Sequence, residues 1–278
     1  MNISKEHMCL YTPVCSSSAS AFEIIEHAAE LGVGGVELMN FCDELRQPDR
    51  AAAQTIAKAA RSHGLKLPCF SAYADIYADS ALETERLSRY AEICSDLEIP
   101  YLHHTVAPDL NWHHMTESER EQRFLTCMDG VLELCEYART LGVRTLIEDQ
   151  GFVFNGVRNC LRLCDLSDER IGIVADVGNI LFFDEKPEDF IRAVGSHICH
   201  VHIKDYMLSE TPFADRKCHA TRLSNYLCDA EIGTGKIDFQ AVQKAFSDIS
   251  YNGMYSLEFV PGCDEAEVKR VLHRLTVR

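Results

Sequence analysis

The chain has 278 residues, 46% of them hydrophobic, a formal net charge of −16 and a pI near 5.1. That is enough apolar material for a large core in one domain or two. A surface this acidic repels phosphate backbones and anionic lipid, and no apolar run approaches the ~20 residues that span a bilayer, so neither nucleic acid nor membrane is an expected partner.

The first residues, MNISKEHMCLYTPVC, lack the charged-then-apolar pattern of a secretory leader. Thirteen cysteines are scattered along the chain with no CxxC pair. Cys94, Cys127, Cys135 and Cys164 sit in helical patterns. With no export signal, the expected state is reduced core thiols in a cytoplasmic protein.

Short apolar runs alternate with long amphipathic stretches along the whole chain. MCLYTPV (8–14) reads as a strand. Ser16 to Ser18 then read as caps of a helix that stops at a glycine. GGVELM (34–39) is a second strand, and 49–63 an Ala-rich helix. LKLPCFSA (65–72) is the third strand, followed by a helix over 81–97. IPYLHHTVAP (99–108) is the fourth, followed by a long helix over 116–141. VRTLIEDQG (143–151) and a helix over 156–166 come next, then IGIVADVGN (171–179) and a helix over 187–195. HICHVHIKD (197–205) is the seventh strand. A long loop from Tyr206 to Gly235 leads to a helix over 238–249. MYSLEFV (254–260) is the eighth strand, and a helix over 264–275 closes the series.

Eight strands alternating with eight helices imply parallel pairing through crossover helices. Eight units in about 250 residues match a closed (β/α)₈ TIM barrel, here one α/β domain over 1–278. An open doubly wound sheet is the alternative, but its GxGxxG fingerprint is missing.

Chemistry in such a barrel sits at the C-terminal ends of the strands. There the late strands present Glu148 (TLIEDQG), Asp176 (GIVADVGN), His202 (CHVHIKD) and Glu258 (YSLEFV). Each is a polar residue after an apolar run, and one per strand would aim four donors at a common point. Side chains alternate faces along a strand. His200 therefore shares the face of His202 one layer deeper, as a core or substrate-side polar group, and Lys204 lies above at the rim, within reach of a substrate oxygen. One residue of the pair His103 and His104 must also face inward, and His104 is taken as the substrate contact.

Three carboxylates and one imidazole form a hard, oxygen-rich donor set. It suits one divalent ion, Mn²⁺ first, with Mg²⁺, Zn²⁺ or Co²⁺ as alternatives. Such an ion polarises adjacent carbonyl and hydroxyl oxygens, acidifies the neighbouring C–H and stabilises an enediolate. Glu148 and Glu258 would then carry the proton off and return it from either side of a substrate. A zinc site at Cys218, His219 and Cys228 has no paired ligand spacing in its favour.

The series IED, ADVGN, HVHIKD and SLEF, with GTGKIDF at 233–239, resembles the xylose isomerase-like TIM-barrel superfamily of sugar and sugar-phosphate isomerases, epimerases, inosose dehydratases and related enzymes. The resemblance implies that Glu148, Asp176, His202 and Glu258 bind one divalent metal and that the two glutamates shuttle protons. It implies a metal-dependent isomerase or epimerase acting on a small carbohydrate or related polyhydroxy carbonyl compound. An inosose-dehydratase-like lyase is the alternative, with an endonuclease IV-like repair enzyme disfavoured by the acidic charge. Ketohexose epimerases of the group carry Asn-Arg and a further Glu after the first metal glutamate, where this chain has DQGFVFNG. They also carry His after the metal aspartate, where this chain offers Asn179, taken with Lys204 as a substrate contact. Barrels of this kind often pair, so a homodimer or homotetramer is expected. The loop after the seventh strand is expected to act as a lid, with Phe213 and Tyr226 excluding water.

Overall fold

A computed structural model describes residues 1–11, 20–260 and 262–276. The end of the first expected strand and the Ser16–Ser18 cap lie outside the described residues. The barrel strands are β1 (Met8–Leu10), β2 (Gly35–Val36), β3 (Leu38–Met39), β4 (Cys69–Ala72), β5 (Tyr101–His104), β6 (Arg144–Glu148), β7 (Gly172–Asp176) and β8 (Ile198–Ile203). The last of them, β12 (Tyr255–Leu257), follows three lid strands named below. Their order is β2-β1-β12-β8-β7-β6-β5-β4-β3, with every ladder parallel. The two segments β2 and β3 are halves of one strand interrupted at Glu37, so the sheet closes on itself as the expected eight-stranded barrel.

The helices fall where the sequence periodicity places them: α1 (Ala21–Leu31), α2 (Arg50–Ser62), α3 (Ser80–Asp96), α4 (Glu117–Thr140), α5 (Val157–Leu166), α6 (Pro187–Val194), α7 (Phe239–Asp248) and α8 (Glu265–Thr276). Local chemistry fixes several starts. Asp49 and Asp79 accept backbone N–H groups of the first turns of α2 and α3. Thr116 and Glu119 form a reciprocal capping box on α4. None of the helices among the described residues is long and apolar enough to cross a membrane.

Glu148 and Asp176 are the last residues of β6 and β7, so these two strands end at their donors. The lowest interior layer is apolar, with Cys69, Leu146 and Val174 in contact. Above it the lining becomes polar, and that change in layer creates the site.

The segment expected as a plain loop is instead a three-stranded antiparallel sheet of β9 (Asp205–Ser209), β10 (Cys218–Ala220) and β11 (Tyr226–Ala230), in the order β10-β11-β9. Cys218 and Cys228 stand directly opposite each other in the β10–β11 ladder and are joined by a disulfide. This corrects both the expectation that all cysteines are reduced and the weighed zinc site. Cys94, Cys127, Cys135 and Cys164 are buried free thiols, as expected.

Candidate metal centre

Glu148 ends β6, Asp176 ends β7, His202 lies near the end of β8, and Glu258 follows β12, held in the ladder by its own N–H to Ile203 O at 3.0 Å. One donor atom from each of the four lies within 4.8 Å of the others. Glu148, Asp176 and His202 are buried, and Glu258 is partly open. The four residues that sequence places at one point are thus brought together. Asp176 Oδ1 accepts the N–H groups of Gly178 (2.8 Å) and Asn179 (3.0 Å), which fixes the carboxylate plane. Burial is the largest influence on Asp176 and pushes it up to about 6, although Lys204 favours its charged form.

Lys204 sits deeper than the rim position expected of it. Its Nζ lies 2.9 Å from Asp176 Oδ2 and 2.9 Å from Glu258 Oε2. Burial opposes its charge, but these two carboxylates outweigh burial and raise its pKa. Gly178 makes the approach possible, because a Cβ there would come within 2.4 Å of Lys204 Cγ. Asp205, the last residue of HVHIKD, does not pair with Lys204. Its carboxylate accepts the N–H groups of Tyr206, Gly233, Gly235 and Ile237 at 2.8–3.3 Å, tying the GTGKID turn to β9.

His202 is held on both ring nitrogens. Nδ1 lies 2.9 Å from Glu148 Oε1, and Nε2 lies 3.1 and 3.2 Å from the two oxygens of Glu37. Tyr11 stacks on the ring with centroids 4.5 Å apart. Burial disfavours the charged imidazole, yet Glu37 and Glu148 together raise its pKa. Glu37 has no exposure at all. Burial disfavours its charge, and His202 and His200 outweigh that and lower its pKa.

Two residues named as substrate contacts lie off the cavity wall: His200 takes the core place that is one half of its expected reading, and His104 faces away from the barrel interior. His200 is buried a layer below the donors, with Nε2 2.7 Å from Glu37 Oε2 and 2.9 Å from Ser256 Oγ. It contacts the core network and does not line the cavity. His104 points to the outer face of β5, where its Nδ1 meets Thr105 O at 3.1 Å, and burial lowers it to about 4. Strand alternation turns His103 inward instead. Its Nδ1 lies 2.7 Å from Ser71 Oγ and its Nε2 3.8 Å from Glu148 Oε2. Asn179 does face the cavity: it is buried, and its Nδ2 has no hydrogen-bond partner among the described residues.

That cavity, about 600 Å³, reaches the donor cluster through Glu258 and through Lys204, which pairs with Asp176. Its walls include Lys204 and Glu258 from the barrel, Asn179 and Gln150 from the loops, and Arg216, Lys217 and His219 from the lid sheet. The lid thus covers the site, but with polar residues. Phe213, expected to exclude water, is 38% exposed and is not part of the wall.

The donor set fits a divalent cation. Three carboxylates and an imidazole converge where burial alone already raises Asp176, and a cation of radius suited to oxygen and nitrogen donors relieves their mutual repulsion. Glu148, Asp176, His202 and Glu258 would hold it. Glu37 and Ser71 were missed by sequence reasoning, although GGVELM shows the same acid after an apolar run that flagged the other strands, and His103 was named only as the neighbour of the chosen His104.

Fold and site define a parallel (β/α)₈ barrel with an acid–histidine cluster at its C-terminal mouth. The sequence profile of the xylose isomerase-like TIM barrel family matches residues 25–275, and the chain belongs to that family. No curated protein sequence matches the chain significantly. Among solved structures, the chain is similar to a xylose isomerase domain protein from Planctomyces limnophilus, with TM-score 0.75 and 16% identity, covering 97% of this chain and 96% of that one. It is similar to D-psicose 3-epimerase from Clostridium cellulolyticum H10, with TM-score 0.74, 14% identity and 96% of each chain covered. It is also similar to a probable 3-DHS dehydratase from Bacillus anthracis, with TM-score 0.73, 16% identity and 98% and 99% covered.

Proposed function

We propose that the protein is a divalent-metal-dependent isomerase or epimerase of a small sugar, sugar phosphate or related polyhydroxy carbonyl compound. The observation that carries this reading is the convergence of Glu148, Asp176, His202 and Glu258 within 4.8 Å, with Glu258 in the wall of a polar cavity of about 600 Å³. The ion proposed there, Mn²⁺ first, with Mg²⁺, Zn²⁺ or Co²⁺ as alternatives, supplies Lewis acidity to adjacent carbonyl and hydroxyl oxygens.

The chain's own residues do the rest. Glu148 and Glu258 stand on strands on either side of β7 and β8, so a substrate between them meets a carboxylate on each side. One, ionised, takes the proton from the carbon next to the carbonyl, and the other, protonated, delivers its own proton to the neighbouring carbon or to the opposite face. Lys204, paired with Asp176 and Glu258, presents an ammonium to the cavity wall and binds a substrate oxygen. Asn179 offers its unpartnered Nδ2 to a hydroxyl. The polar lid, whose strands β10 and β11 are joined by a disulfide, adds Arg216, Lys217 and His219 to the wall that faces the substrate.

A dehydratase shares the proton abstraction but then expels a β-hydroxyl. Incubation with Mn²⁺ in D₂O and a panel of ketoses, inososes and keto acids separates the two. Deuterium at the carbon next to the carbonyl without mass loss is expected, and loss of water in place of exchange would replace the isomerase reading with the lyase. Glu258→Gln is expected to abolish exchange with the fold intact; retained exchange would remove its role.

A further inference from the structure

The barrel interior holds a second carboxylate that the proposed chemistry does not use. Glu37 interrupts the second barrel strand between β2 and β3 and lies beneath the four donors. Three groups converge on its two oxygens: His200 Nε2 at 2.7 Å, His202 Nε2 at 3.1 and 3.2 Å, and the Ser71 hydroxyl, which donates to Oε1. A carboxylate at this burial can only accept, so each partner must donate. That fixes proton positions by elimination.

His202 must carry a proton on Nε2; Nδ1, 2.9 Å from Glu148 Oε1, also faces a carboxylate, and its proton is the one that leaves when a cation takes its place. Ser71 has a single proton and spends it on Glu37, so His103 Nδ1, at 2.7 Å from Ser71 Oγ, must donate to the serine. His103 Nε2 is then an unprotonated nitrogen turned toward Glu148. One buried carboxylate thereby holds the Nε2 proton of His202 and, through Ser71, the Nδ1 proton of His103. An imidazole that binds a cation through one nitrogen is held and made more basic when the other donates to a carboxylate.

We propose that Glu37 is the positioning residue of the site: it fixes the ring and tautomer of His202 so that Nδ1 presents its lone pair to a divalent cation. This rests on the metal reading above. Glu37, His103 and His202 also lie within 4.8 Å of one another, a grouping that could itself be a cation site. Against that, the two Glu37 oxygens already accept from three donors, His200, His202 and Ser71.

The test is Mn²⁺ binding to the full chain, followed by calorimetry and by the loss of free-Mn²⁺ electron paramagnetic resonance signal. Glu37→Gln keeps the volume but replaces one acceptor oxygen with an N–H₂ that confronts a donor. It is expected to weaken Mn²⁺ binding by about 10- to 100-fold at a stoichiometry of one ion per chain. In the His202→Gln background, where three carboxylates still bind Mn²⁺ weakly, Glu37→Gln should change affinity little, because its route through the imidazole is gone. An equal loss in both backgrounds, or no loss in either, overturns the proposal, as does a second ion in the wild type that Glu37→Gln removes. If Glu37→Gln does not fold, Ser71→Ala decides: it deletes one hydrogen bond to Glu37 and should weaken Mn²⁺ binding only where His202 is present. A wild type that binds no Mn²⁺ removes the metal reading itself, a result distinct from a wild type that binds it and is indifferent to Glu37.

Discussion

Asp205→Ala probes how the lid is fastened to the barrel. Asp205 is 2% exposed, and its two oxygens accept N–H groups from Tyr206 (2.9 Å), Gly233 (3.0 Å), Gly235 (2.8 Å) and Ile237 (3.3 Å). The turn packs against the carboxylate so closely that a Cβ at Gly235 would lie 2.3 Å from Asp205 Oδ1. A hydrogen bond to a charged group contributes roughly 1.5–3 kcal/mol. Gly233 and Gly235 are near the surface, so water recovers part of their loss, and removal should cost about 3 kcal/mol in total. Asp205→Asn keeps one acceptor oxygen and should cost about half of that. Urea unfolding followed by tryptophan fluorescence and by far-UV circular dichroism measures both. The loss should be accompanied by faster proteolysis at Arg216 and Lys217 on the loosened lid. A loss below about 1 kcal/mol, within the range of an ordinary surface substitution, would show that the turn folds without its carboxylate and would refute the reasoning.

Two more consequences follow for the site. Ser209 on β9 pairs with Tyr226 on β11, so replacing residues 210–225 by Asn-Gly gives a two-residue hairpin in register. That variant loses Arg216, Lys217 and His219 from the cavity wall. Its turnover should fall far more than its thermal stability, and an unchanged rate would remove the lid's role. Metal affinity should depend on pH through Asp176. Burial raises its pKa to about 6, so the proton is favoured below that pH and must leave before a cation binds. Mn²⁺ affinity should be flat with respect to this group above pH 6 and fall about tenfold per pH unit below it; calorimetry showing no decline between pH 6 and 5 would contradict this.

Much of the fold was legible because its signals are local. Asp49, Thr116 and the apolar spacing that follows each of them mark helix starts without tertiary information. The four strand-end donors were legible for a similar reason, since each is a polar residue closing an apolar run. What escaped depends on through-space partners. His103 and His104 are adjacent, and only the strand register decides that the former faces Ser71 and Glu148 while the latter faces out. Glu37 looks in sequence like any other strand-end acid, and its importance comes from His200, His202 and Ser71, which lie 34 to 165 positions away. The disulfide escaped because Cys218 and Cys228 meet only once β10 and β11 pair. The lid's strands are only three to five residues long, too short for a period-two apolar signal to announce them.

The most direct measurement is the anomalous diffraction of crystals soaked in Mn²⁺. The account predicts one manganese peak per chain, bonded to Glu148, Asp176, His202 Nδ1 and Glu258 with Lys204 beside it. No peak at that point, or a peak bonded to other residues, would contradict the claim that these four strand ends form a single metal centre.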